Sequence, residues 1–150
     1  MPMGEPLLPI VAEITVDRPI ERVWDVLVGA ATLPKWLGAM DYHPKVGTTF
    51  FIQEDPERRA AGDTGGATHC DIKLMQPPHR FNFTWYVPGT PETLVQFGLD
   101  TEAASGTMVR LMHDGWDDFE REAIGDFYDQ LARGWQNTVL PALKRMAEQS

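Results

Sequence analysis

Few side chains in this 150-residue sequence can do proton or nucleophilic chemistry, and His113 is the best placed of them. It ends the run Thr107 to His113, in which Val109, Leu111 and His113 fall on one face by alternation. Asp114 and Asp117 follow closely enough to orient or charge its ring. An imidazole near its ordinary pKa can act as acid, base or donor to a ligand carbonyl. A histidine bonded to a loop backbone fits the same position, so the sequence leaves both roles open. His69 and His79 sit on or beside strand runs without matching partners, and His43 lies in a turn.

Other chemistries find no support. His69 and Cys70 are adjacent and point to opposite faces of a strand, and neither Cys-x-x-Cys nor His-x-x-x-His occurs. No metal and no cofactor is expected. Cys70, the single cysteine, reads as a small buried thiol and cannot close an intramolecular disulfide. The glycine-rich stretch Gly62 to Gly66 precedes a strand rather than a helix, which does not suit a phosphate cradle. Gly-x-Ser-x-Gly is absent, and the two serines, Ser105 and Ser150, fall in a turn and at the terminus. With 22 acidic and 13 basic residues the formal charge is −9, which argues against nucleic acid or an anionic membrane held by a broad basic face. No apolar run approaches the ~20 residues that span a bilayer. Met1 to Pro9 carries no Lys or Arg ahead of Leu7-Leu8, unlike a secretory signal. The expectation is a soluble, cytoplasmic protein with one domain over residues 1–150.

The elements that must position these groups follow from periodicity. Ile10 to Val16 alternates as a first strand. After Asp17-Arg18-Pro19, Ile20, Val23, Trp24 and Leu27 recur at helical spacing as far as Gly29, and Thr32 to Gly38 predicts a second, very short helix. Strand runs then cover Thr48 to Glu54, Ala67 to Met75, Arg80 to Val87, Thr93 to Thr101 and Thr107 to His113, an antiparallel meander. Between the first two runs, Asp55 to Gly66 reads as a polar loop, with Arg58 and Arg59 on a candidate gate. Ile124, Phe127, Tyr128, Leu131, Trp135, Thr138, Ala142 and Met146 predict a closing helix of about 25 residues. Its acidic start (Asp117, Asp118, Glu120, Glu122) suits the positive end of the helix dipole. Pro141 removes the bond to the Asn137 carbonyl, which predicts a kink. The class is α+β, with the long helix against one sheet face.

Several strings, taken in order, resemble one known superfamily. Val16-Asp17-Arg18-Pro19-Ile20-Glu21-Arg22-Val23-Trp24 resembles the opening of START-like, or SRPBCC, domains, whose fold is shared with the birch pollen allergen. Leu33-Pro34-Lys35-Trp36-Leu37 resembles their second-helix motif, and Pro77-Pro78-His79-Arg80-Phe81 through Thr84-Trp85 their Pro-Pro hairpin and following strand. Gly106-Thr107 through His113-Asp114-Gly115-Trp116, then Gly134-Trp135 through Leu140 and Leu143, resembles their last strand and closing helix. Residues 8–147 are covered, and the branch that fits best is similar to the ATPase activator of the ninety-kilodalton heat-shock chaperone. The resemblance implies a helix-grip fold: a curved antiparallel sheet wrapped around the long C-terminal helix, two short helices after the first strand, and an elongated cavity between sheet and helix.

Alternation says which residues face such a cavity. Phe81, Phe83 and Trp85 share one strand face; Val95, Phe97 and Leu99 share another; Phe127, Leu131 and Trp135 form a helix stripe. The resemblance adds Trp36 and Met40 at the mouth. The candidate ligand-binding set is therefore Trp36, Met40, Phe83, Trp85, Phe97, Leu111, His113, Phe127, Leu131 and Trp135. Aromatic faces this dense either pack solid or leave a slot between rings. In the acidic run after Asp114, Trp116 and Phe119 belong to a solvated loop, or to a partner contact or gate over one cavity end. Three functions are carried, in this order: binding of a hydrophobic small molecule; a polyketide cyclase- or hydrolase-like enzyme using His113, its candidate catalytic residue; and a chaperone-interacting module. A homodimer stays open.

Overall fold

The alternation of Ile10 to Val16 is realised as strand β1 (Ile10–Val16), with Ile10, Ala12 and Val16 buried and Val11 and Glu13 exposed. The computed structural model describes residues 7–102, 106–119 and 121–149, so Ser105 and Glu120 lie outside the described residues. Helix α1 (Ile20–Val28) turns Ile20, Val23, Trp24 and Leu27 inward, as their spacing predicts. Helix α2 (Leu33–Leu37) buries Leu33, Trp36 and Leu37. It stops at Gly38, whose φ of 75° is the left-handed conformation a glycine tolerates and whose N–H bonds the Pro34 carbonyl.

Seven strands follow the order β1-β7-β6-β5-β4-β3-β2, every neighbour antiparallel, and curl into an open half-barrel. They are β2 (Ala39–Met40), β3 (Thr49–Ile52), β4 (Thr68–Gln76), β5 (Arg80–Trp85), β6 (Thr93–Glu102) and β7 (Gly106–Asp114). The first strand pairs with the last, Ile10 opposite His113 and Val16 opposite Thr107. Two elements go beyond the sequence expectation. Strand β2 is two residues long, too short to alternate. Helix α3 (Pro56–Ala60) occupies the polar loop, started by the Asp55 carboxylate accepting the Glu57 and Arg58 N–H groups. It buries nothing, so no apolar period announced it.

The closing helix runs as α4 (Arg121–Gly134), a π-helical turn (Trp135–Val139) and α5 (Leu140–Glu148). The defect expected at Pro141 lies just before it, as a widened turn in which the Leu140 N–H bonds the Trp135 carbonyl five residues back. The two halves sit differently. Helix α5 buries Leu140, Leu143 and Ala147, whereas Ile124, Tyr128 and Leu131 of α4 are half-buried and Phe127 is exposed.

The closing helix also seals the free edge of β1 with side chains. The Gln136 amide imitates a neighbouring strand: its oxygen accepts the Glu13 N–H at 3.1 Å and its nitrogen donates to the Glu13 carbonyl at 2.9 Å. Lys144 donates to the Thr15 carbonyl at 2.9 Å and to Glu148 at 2.6 Å, and Glu148 accepts the Asp17 N–H at 2.8 Å. The Lys144 bond first, then the Asp17 N–H, hold the Glu148 carboxyl below the usual carboxylate range. An open strand edge invites pairing with another chain, and this one is capped. Replacing Gln136 with Ala removes both bonds to Glu13; we expect a loss of about 1 kcal/mol in urea unfolding and faster amide exchange at Glu13 than at residues facing β7.

Candidate functional site

Register brings His113 into a cage of tryptophans. Trp85 ends β5 opposite Thr93, and Val95 faces His113 across the next strand pair. After Asp114 the chain turns sharply at Gly115, where φ is 98° and a β-carbon would come within 3.2 Å of the Thr93 Cα. That turn folds Trp116 back over the imidazole, with ring centroids 4.7 Å apart. Trp85 lies at 5.3 Å and Trp135, from the closing helix, at 6.1 Å. His113 is completely buried.

The hydrogen bonds fix its protonation. The Trp135 Nε1–H donates to His113 Nδ1 at 3.2 Å, and an indole can only donate, so Nδ1 carries no proton. The proton is therefore on Nε2, which donates to Thr93 Oγ1 at 2.7 Å. The Thr93 hydroxyl passes its own hydrogen to the Trp85 carbonyl at 2.7 Å. The Trp116 Nε1–H closes the cage on the His113 carbonyl at 2.9 Å. Desolvation pushes the His113 pKa down to about 3, so the ring is neutral at physiological pH. Asp114 accepts the N–H of its own turn residue, Gly115, and Asp117 is exposed; neither meets the ring. Both ring nitrogens are consumed, which leaves none for a substrate in this arrangement.

The rest of the candidate set divides between packed core and cleft. Phe83, Phe97 and Leu111 are fully buried, and Phe97 contacts Trp36, Phe81, Phe83 and Trp135 at centroid distances of 5.9–6.3 Å. These distances are those of edge-to-face and offset packing. Trp36 is buried, its Nε1–H on the Val26 carbonyl at 3.1 Å, and Met40 is half-buried on the edge strand β2. Trp85, Phe127, Leu131 and Trp135 line open space instead. Trp116, read either as part of a solvated loop or as a contact or gate over one cavity end, is buried by its contacts with His113, Phe119 and Tyr128 and also lines open space.

The open space is a cleft between α4 and the sheet. It has three chambers of about 250, 440 and 310 Å³, each lined by both Trp85 and Phe127. The first is nearly all apolar, walled by Val87, Pro91, Trp116, Phe119 and Ile124. The second adds Leu37, Ile52, Leu131 and Trp135 with the polar Glu54, Gln130 and Thr138. The third reaches Gln53, Glu54, Asp55, Arg58 and Thr68. The segment expected to gate the cleft is a tethered wall: Gln53 Nε2 donates to the Asp63 and Gly65 carbonyls at 3.0 Å each, and Arg59 donates to the Gln53 carbonyl at 2.7 Å. Ile52, Glu54 and Gln130 were not among the candidates. Their one sequence signal is position: a strand end, and one step around the helix from Phe127. No group of three or more His, Cys, Asp or Glu side chains suited to a metal occurs among the described residues, and Cys70 is buried.

A curled antiparallel sheet gripping a long C-terminal helix over an aromatic cleft defines the helix-grip class of the START-like superfamily. The chain belongs to the Activator of Hsp90 ATPase homolog 1-like protein family, whose pattern matches residues 17–148. Among solved structures it is similar to a Mesorhizobium loti protein (23% identity, 95% of this chain and 98% of that one, TM-score 0.76). It is also similar to the Aha1 dimer from Colwellia psychrerythraea (20%, 95% and 98%, 0.72). A third likeness is to an Hsp90 activator from Plasmodium falciparum (17%, 91% and 95%, 0.68). No curated protein matches the sequence. No helix among the described residues is long and apolar enough to cross a membrane.

The buried imidazole has a signature in pH. Its folded pKa of about 3 lies below the ordinary 6.5, so between these values the unfolded chain binds the extra proton. The His113 contribution is whole above pH 6.5 and erodes as pH falls toward 3, by at most about 1.4 kcal/mol per pH unit. Urea unfolding at pH 7.5, 6 and 5 should show a flatter pH slope for His113→Gln than for the native chain. Equal slopes would place the charge change elsewhere.

Proposed function

We propose that this protein binds a hydrophobic small molecule in the cleft between α4 and the sheet. The observation that carries the reading is the pair Trp85 and Phe127, which line all three chambers, with Phe127 48% exposed on a helix whose neighbouring apolar residues turn inward. The larger chambers are within the range of small-molecule sites, and a few polar groups interrupt an apolar lining. At about 0.8 kcal/mol per buried methylene, six buried methylenes contribute about 5 kcal/mol, a Kd on the order of 0.1–1 mM before any polar contact. The sealed His113 supports a binding role over a cyclase-like enzyme that uses this histidine, because both ring nitrogens are already bonded.

The family match favours a second reading, contact with the ninety-kilodalton heat-shock chaperone, with a homodimer as in the Colwellia structure. A pull-down with that chaperone at micromolar concentration decides it, and loss of contact in that assay sets it aside.

Two phenylalanines separate ligand wall from core. Phe127→Ala should change stability by less than about 1 kcal/mol, because the ring is half in solvent, yet weaken uptake of decan-1-ol several-fold in a tryptophan-emission titration. Phe83→Ala, in the packed core, should cost about 3–5 kcal/mol. If Phe127→Ala leaves uptake unchanged, the cleft is not the binding site.

A further inference from the structure

The charges of the cleft specify the ligand further, on the reading that the cleft binds one. Three charged residues line it: Glu54, Asp55 and Arg58. Two of them are already engaged. Arg58 donates to the Gly65 carbonyl at 2.9 Å and lies 3.7 Å from the Asp55 carboxylate, whose other oxygen caps α3. Glu54, exposed at the cleft rim, alone has no hydrogen bond or ion pair among the described residues. It lines both larger chambers beside Trp85 and Phe127. Gln130 and Thr138, the other polar groups of the middle chamber, carry no charge.

We infer that the ligand is a hydrophobic amine, its ammonium held by Glu54 against the faces of Trp85 and Phe127 and its hydrocarbon end in the apolar chamber walled by Trp116, Phe119 and Ile124. A carboxylate that lines the same chambers as two aromatic rings favours a cation twice, through charge and through the ring quadrupoles. The two ends of the cleft differ in the right sense, and both are reached past the same two rings. An alkyl carboxylate in the same pose meets Glu54 with like charge, and its one counter-ion, Arg58, is held by Asp55. The formal charge of −9 on the chain draws cations and repels anions at longer range.

Calorimetric titration of the full chain with decylammonium, decan-1-ol and decanoate at pH 7 and low salt tests this. We expect decylammonium to bind about tenfold more tightly than decan-1-ol, with decanoate weakest. Glu54→Gln should bring decylammonium and decan-1-ol within about twofold of each other and leave decan-1-ol unchanged. Glu57→Gln, the same charge change on the exposed face of α3, should keep the preference. Equal binding of the three compounds, tighter decanoate, or an equal loss in Glu57→Gln would overturn the amine assignment while the cleft remained a binding site. Failure of all three to bind would remove the binding reading, and the assignment with it.

Discussion

The Trp135 indole N–H needs an acceptor, and the sheet supplies Nδ1 of a fully buried His113. That bond requires a neutral ring with its proton on Nε2, which in turn requires the Thr93 hydroxyl and the Trp85 carbonyl. One uncharged imidazole thus ties the last strand, the β5–β6 pair and the closing helix together. A protonated ring would lose the Trp135 bond and carry an unpaired charge in a dry site, which is why burial holds it neutral. Three of the five tryptophans converge there.

With Trp135 fixed, the helix on either side of it takes two different seats. The π-helical turn that begins at Trp135 separates α5, sunk into the core with α1 and β1, from α4, whose Ile124, Tyr128, Leu131 and Ala132 are only partly buried and whose Phe127 is exposed. Side chains from the helix hold the seat from outside, through the Gln136, Lys144 and Glu148 contacts along β1. The cleft is the space under α4 that this leaves. Trp85 belongs to both halves of the arrangement: its carbonyl and ring join the His113 cage, and its ring is also the wall common to the three chambers. The solid core and the cleft therefore share a boundary residue.

Much of the fold was legible because burial imposes a period. Ile10 to Val16, Phe81 to Trp85 and Val109 to His113 alternate because one sheet face is packed, and Ile20 to Leu27 recur at helical spacing for the same reason. What escaped has no period to read. Strand β2 is too short, α3 buries nothing, and the helix defect depends on where Trp135 is anchored rather than on Pro141 alone. At the site, alternation named the inward face correctly but could not say which inward rings touch one another. Phe83, Phe97 and Leu111 lie in the fully buried cluster, whereas Trp85, Phe127 and Leu131 line the cleft. His113 was singled out as a polar group on an apolar face; its partners, Trp135 and Thr93, are 22 and 20 residues away in sequence. Glu54, at the end of a strand run, gave no sign beyond its place.

On the proposed binding reading, a ligand sits outside the aromatic core, against Trp85 and Phe127. The five indole N–H signals of a ¹⁵N-labelled sample report that directly during titration with decan-1-ol. The Trp85 signal should move most, with Trp135 following at the chamber wall. The Trp36 signal, whose N–H is bonded to the Val26 carbonyl inside the core, should stay in place. A large shift at Trp36 with Trp85 unmoved would mean that the ligand enters between the packed rings, and would contradict the account.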